Sequence, residues 1–141
     1  MEAAPDLRDV VVASFAAYSA GDLTFLESHI SHQPGAHALG ADPSEWWPDA
    51  AAILESATAE AAEGIRFVPG EVQAWREGSV GWVVAPDARF QLPDDREGPL
   101  RYTGVYHREE GAWRLVQGHW SIGVPNDVAF SALAHAPDLS V

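Results

Sequence analysis

Apolar residues recur at helical spacing in the first half of the chain and alternate with polar ones in the second. Leu7, Val11, Phe15 and Tyr18 lie three or four positions apart, which sets them on one face of a helix. Gly21 suits the left-handed residue that follows a helix, and Asp22 suits the N-cap of the next one. The second helix is short, with Leu23, Leu26 and Ile30 on one face, and Ser31 to Gly35 reads as a loop. A strand is predicted over Ala36 to Ala41. Asp42-Pro43-Ser44-Glu45 has the order of a capping box, but Pro48 disfavours helix at Trp47. The pattern therefore predicts a short turn through Trp46 and Trp47. A helix from about Pro48 to Glu63 follows, burying Ile53, Leu54, Ala57 and Ala61 and ending at Gly64.

From Ile65 onward the period changes to two. Strands are predicted over Ile65 to Val68, Val72 to Arg76, Val80 to Ala85, Ala88 to Leu92, Leu100 to Arg108 and Ala112 to Ile122, with Pro, Gly and Asp clusters between them. Asn126 to His135 reads as a terminal helix, and the last residues are expected to fray. Helices first and an antiparallel meander afterwards predict a single α+β domain over residues 1–141, its helices covering one face of a curved sheet and leaving a cone-shaped cavity.

The last hairpin carries most of the candidate chemistry. Glu109-Glu110-Gly111 fits a three-residue loop with Gly111 in the left-handed position. Arg108 would then pair with Ala112, His107 with Trp113, Val105 with Leu115, Thr103 with Gln117 and Arg101 with His119. A two-residue turn would shift this register by one. On the three-residue reading one face grades from apolar residues to Thr103, Gln117, Arg101, His119 and Ser121, as in a small-molecule site. Tyr102, Tyr106, Val116, Trp120 and Ile122 would share the reverse face, suited to core or to a dimer interface.

Charge and composition narrow the partners. The chain has 141 residues and a net charge of −13, which repels phosphate backbones and anionic lipids and argues against nucleic acid and membrane surfaces. It contains no cysteine, which removes disulfides and thiolate chemistry. The first six residues lack the basic start and apolar run of a signal peptide, and no stretch reaches transmembrane length. A cytoplasmic protein is expected.

His119 is the acid–base candidate, since imidazole titrates near neutrality, and Arg101 is the candidate for binding an anionic or carbonyl oxygen. A buried, hydrogen-bonded His119 and a surface ion pair at Arg101 are the plain alternatives. Tyr18, Trp46, Trp47, Thr103, Gln117 and Ser121 are the candidate ligand contacts. His29, His32 and His37 match no strong metal motif, and no metal or cofactor is expected.

Two stretches, Leu39-Gly40-Ala41-Asp42-Pro43-Ser44-Glu45-Trp46-Trp47 and Arg101 to Val105 with Gly111 to Asn126, resemble the SnoaL-like group of the nuclear-transport-factor-two-like superfamily, which includes ketosteroid isomerases and polyketide cyclases. Tyr18-Ser19-Ala20-Gly21-Asp22-Leu23 is similar to the family's first helix boundary, so the resemblance spans the chain. It implies a cystatin-like α+β cone with an interior pocket, commonly a homodimer packed through the sheet, and no single reaction. Polyketide cyclases of this group use an acid on a late strand, where this chain offers His119. Two functions follow: an isomerase- or cyclase-type enzyme moving a proton on an apolar cyclic or polyketide-like molecule, or a non-catalytic binding or dimerisation module.

Overall fold

In the computed structural model, which describes residues 1–135, strand β1 (Glu2–Ala3) leads into helix α1 (Pro5–Ala20). Proline at its first turn and Gly21 at φ 67° bound α1, and it buries Leu7, Val11, Phe15, Ala17 and Tyr18. Helix α2 (Leu23–Ser28) is capped by the Asp22 side chain, which accepts from Phe25 N. Leu26 and Ile30 are buried as the spacing predicts, while Leu23 is exposed.

The Asp42–Glu45 segment does something other than start a helix. Glu45 Oε1 accepts from Asp42 N at 2.8 Å, the reciprocal arm of a capping box. Asp42 itself accepts from Ser44 N, and Gly40 N donates to Glu45 O. These bonds close a hairpin between β2 (His37–Leu39) and β3 (Trp46–Trp47). Helix α3 (Ala50–Ala62) starts two residues later than predicted, because Asp49 is its N-cap and accepts from Ala52 N.

The remaining strands are β4 (Arg66–Val68), β5 (Gln73–Glu77), β6 (Val80–Gln91), β7 (Glu97–Glu109) and β8 (Ala112–Ser121), followed by α4 (Asn126–Ala134). The two strands predicted around Pro86 are one strand with a register shift between Ala85 and Ala88. The sheet runs β1-β5-β6-β7-β8-β2-β3, with β4 also paired to β6. It is curved, unclosed and mixed rather than wholly antiparallel, since β2 lies parallel to β8. The fold is α+β, as predicted.

The final hairpin corrects the predicted register. Its turn has two residues, Glu110 (φ 51°) and Gly111 (φ 80°), so Glu109 pairs with Ala112 and Arg108 with Trp113. Positive φ at both central positions is what a type I′ hairpin turn requires. Magnitudes explain the choice. A left-handed glutamate costs about 1–2 kcal/mol. The three-residue loop would have set Trp113 on the outer face opposite His107. The tighter turn moves it inward, where it is 2% exposed and its Nε1 donates to Asp6 Oδ2 at 2.9 Å. Burying an indole stabilises by roughly 4–6 kcal/mol, so burial wins.

A bulge then restores the opposite phase. Tyr106 pairs with Leu115 and Val105 with Gln117, which leaves Val116 as the extra residue. Beyond it Thr103 stands opposite His119, Tyr102 opposite Trp120 and Arg101 opposite Ser121. Trp113 and Leu115 have odd numbers and Trp120 an even one. All three reach the inner face only because the strand skips one position between them.

Two clusters fill the space under the helices. One joins Leu7, Val11 and Phe15 to Val83, Leu100, Tyr102, Tyr106 and Trp113; the other joins Tyr18, Leu26 and Ile30 to Ile53 and Ala57. Among the described residues no helix is long and apolar enough to cross a membrane. The predicted terminal fraying concerns residues 136–141, which lie outside the described residues.

Candidate functional site: an aromatic-walled hollow with two carboxylates

Between α1, α3 and the inner face of the sheet lie two adjoining hollows that share Tyr18, Trp47 and Trp120 as walls. The inner one, about 30 Å³, is lined by Phe15, His29, Ile53, Tyr102, Tyr106 and Leu115 among others. That is room for about one water molecule. The outer one is about 240 Å³ and adds Phe67, Phe90, Leu92, Leu100, Ile65 and Ile122, with Glu45 and Glu60 the two charged residues of its wall. This volume falls just below the usual range of ligand sites, so it suits a molecule of few rings.

Local rules place each wall. Trp46 and Trp47 are adjacent on a strand, so their side chains point to opposite faces. Trp47 pairs with the buried Ala38 and faces the hollow. Trp46 pairs with Leu39, is 53% exposed and lies 5.3 Å from the His37 ring on the outer face. Trp120 is the hub, with ring centroids 4.3 Å from Tyr102, 5.2 Å from Phe15, 5.7 Å from Phe67 and 6.0 Å from Tyr18.

Glu60 enters from α3. It lies three residues after the buried Ala57 and seven after the buried Ile53, so the helix turns it toward the interior side. Burial pushes its pKa up to about 7, with the charges of Glu45 and Glu63 adding to the rise. Burial also raises the Tyr18 hydroxyl, and the nearby Glu60 charge reinforces it, while Ser56 acts in the opposite sense. Deeper in, the Tyr102 and Tyr106 hydroxyls hydrogen-bond to one another at 2.8 Å, and burial holds both as neutral phenols. The hollow thus combines an apolar shell, a carboxyl that exchanges its proton near neutrality and neutral hydroxyls.

The polar set read from the sequence lies elsewhere. Arg101, Thr103, Gln117, His119 and Ser121 do share one face, as the alternation predicts, but it is the outer face of the sheet. His119, Arg101 and Thr103 are exposed there, and none of the five lines either hollow. The physical reason is the phase of β7: Leu100, Tyr102, Gly104 and Tyr106 are the buried positions, which turns the odd-numbered residues outward. Tyr18 and Trp47 do line the hollows. The candidate metal histidines are apart in role: His29 Nδ1 lies 2.9 Å from Phe25 O and His37 Nδ1 2.8 Å from Gly35 O. Among the described residues no group of three or more His, Asp or Glu could hold a metal ion. Glu45 and Glu60 are the site residues that sequence reasoning missed. The spacing of Glu60 from Ile53 and Ala57 was the available signal.

Helices laid over a curved, unclosed sheet, with a hollow between the layers, define an α+β cone of the nuclear transport factor 2-like kind. The family model described as a SnoaL-like domain matches residues 7–125, and the chain belongs to that family. No curated protein matches the sequence. Among solved structures, a nuclear transport factor 2-like superfamily protein from Salmonella enterica serovar Typhimurium superposes with a TM-score of 0.74 at 13% identity, covering 86% of this chain and 91% of that one. An uncharacterised protein with a cystatin-like fold from Caulobacter vibrioides gives 0.67 at 17% identity, covering 92% and 96%. A candidate ketosteroid isomerase from Shewanella frigidimarina gives 0.63 at 17% identity, covering 80% and 92%. At these identities the likeness concerns the fold.

Proposed function

We propose that this SnoaL-like protein binds a small apolar molecule of one to three rings in the outer hollow and transfers a proton on it, with Glu60 as the exchanging group. The observation that carries this reading is a carboxyl with a pKa of about 7 in the wall of an apolar, aromatic cavity of about 240 Å³. A general acid or base works best when its pKa lies near the working pH, and burial beside a second carboxylate supplies that match. Tyr18, at the junction of the hollows, is the hydrogen-bonding partner for a polar atom of the ligand. The candidate isomerase among the structural neighbours supports the reaction class by analogy of fold only.

The test uses 2-tetralone, a two-ring ketone with exchangeable C–H groups beside its carbonyl. In deuterated buffer the wild type should accelerate deuterium uptake, and Glu60→Gln should lose that acceleration while still binding the ketone. Equal rates with and without protein would refute proton transfer and favour a plain binding module.

An assembly reading accompanies this one. Trp75, Trp82 and Val105 stand side by side across β5, β6 and β7 on the outer face, with Trp75 44% exposed. Such an apolar row on an acidic protein favours a homodimer packed through the sheet.

A further inference from the structure

The outer hollow has two carboxylates and no cation. Its wall holds Glu45 and Glu60 and no arginine, lysine or histidine. The chain's basic residues are eight arginines. All but Arg101 stand within ion-pair distance of an acid outside the hollow. Arg101 lies on the outer face of the sheet, against Gly123. Among the described residues the Glu60 carboxyl makes no hydrogen bond or ion pair, and the Glu45 carboxyl engages only Oε1, with Asp42 N. Among the described residues two carboxylates thus face one aromatic cavity without a positive partner.

We propose that the natural ligand is a small apolar amine in its protonated form, whose ammonium is held by Glu45 and Glu60 and whose rings lie against Trp47, Trp120 and Phe67. This rests on the outer hollow being the binding site. Carboxylates supply the counter-charge, and the faces of tryptophan and phenylalanine attract a cation that has left water. The same wall rejects carboxylates and phosphates, because Glu45 and the chain's surplus of acids repel them. Burial is the main cause of the raised Glu60 pKa and the charges of Glu45 and Glu63 the lesser one; an arriving ammonium offsets those charges and, paired with the carboxyl, favours its ionised form. Binding therefore drives a proton off Glu60 and leaves it as a base, the form that takes a proton from the ligand. The other titratable group against it is Tyr18, held neutral by burial.

Calorimetric titration at pH 7 with three isosteres, 2-aminotetralin, 2-tetralol and tetralin-2-carboxylate, tests the inference. The amine should bind about tenfold or more tightly than the alcohol, and the carboxylate should not bind measurably. The amine's apparent enthalpy should differ between phosphate and Tris, because a fraction of a proton is released per ligand bound. Glu60→Gln should abolish that buffer dependence and most of the preference, and its circular dichroism spectrum should match the wild type, which shows that the variant is folded. Glu45→Gln gives a second reading of the same preference. If the alcohol binds as tightly as the amine, the amine proposal is overturned while the cavity stands. If neither binds, the cavity reading falls and takes the proposal with it.

Discussion

The hydroxyls of Tyr102 and Tyr106 meet 2.8 Å apart, four residues from one another on a single strand, and they do so directly over Gly104. A β-carbon at Gly104 would come within 2.6 Å of the Tyr102 hydroxyl and 2.9 Å of the Tyr106 ring. Gly104→Ala should therefore force both rings aside and destabilise the fold by about 1–3 kcal/mol in urea titrations. Tyr102→Phe should cost about 1–3 kcal/mol, since it strands a buried hydroxyl, whereas the double change to phenylalanine should be close to neutral. A double variant as unstable as the sum of the singles would show that the hydroxyl pair is not what links them.

Glu60 makes stability depend on pH in a particular direction. Its carboxyl has a pKa of about 7 in the folded chain against 4.5 as a free side chain, so between these values the native state holds more proton than the unfolded state. Its contribution is present below about pH 4.5 and is lost as pH rises through about 7. Glu60→Gln should be more stable than the wild type at pH 8, by about 1 kcal/mol after allowance for solvent screening, with the difference vanishing below about pH 4.5. Thermal unfolding at both pH values checks this. A wild type that gains on the variant as pH rises would contradict it.

Asp6 ties the first turn of α1 to the last hairpin. Its Oδ2 accepts from Trp113 Nε1 at 2.9 Å and from Arg108 Nη2 at 3.1 Å. The Trp113 hydrogen bond, with smaller help from the Arg108 charge, holds the Asp6 carboxyl below its usual range. Its stabilisation is thus present above the ordinary aspartate pKa and is lost as acid titrates the folded carboxyl. Asp6→Ala should lower stability by about 1–3 kcal/mol at pH 7, and the two proteins should converge as pH falls toward 3.

Binding should distinguish the two faces of β8. Trp120→Ala removes the hub of the cavity wall and should weaken 2-tetralone binding about tenfold or more, followed by tryptophan fluorescence. His119→Ala, one residue away on the outer face, should leave the affinity within about twofold. The reverse ranking would return His119 to the site.

Light scattering addresses the outer face. The wild type should elute as a dimer, and Trp82→Glu should yield a folded monomer, since Trp82 is flanked by Trp75 and Val105 in the outer row. A monomeric wild type would remove the interface.

The helical half of the fold was legible because α1 buries an uninterrupted series, Leu7, Val11, Phe15 and Tyr18. The polar face of the last hairpin was legible as a set, but not its side of the sheet. That depends on the phase of β7, whose Leu100, Tyr102 and Tyr106 are buried, and on the bulge at Val116, which keeps His119 outside although Trp113 turns inward. Turn composition pointed to the three-residue loop with Gly111 as its left-handed residue, whereas burial of the Trp113 indole goes with the two-residue turn. Glu45 was legible as a capping residue, and the structure gives it a second role as cavity wall. Glu60 was hidden among alanines on α3, where a carboxylate reads as the solvent side unless its spacing from Ile53 is counted.

The bulge at Val116 works as a phase switch. Upstream of it the odd-numbered residues of β8 face the helices, and downstream the even-numbered ones do. Deleting Val116 would leave a regular strand with Gln117, His119 and Ser121 still outside and Trp120 still inside, whereas straightening the bulge with Val116 retained would present those three to the cavity and send Trp120 to the solvent. The chain therefore carries a second, polar interior in latent form, and the bulge is what holds it outside.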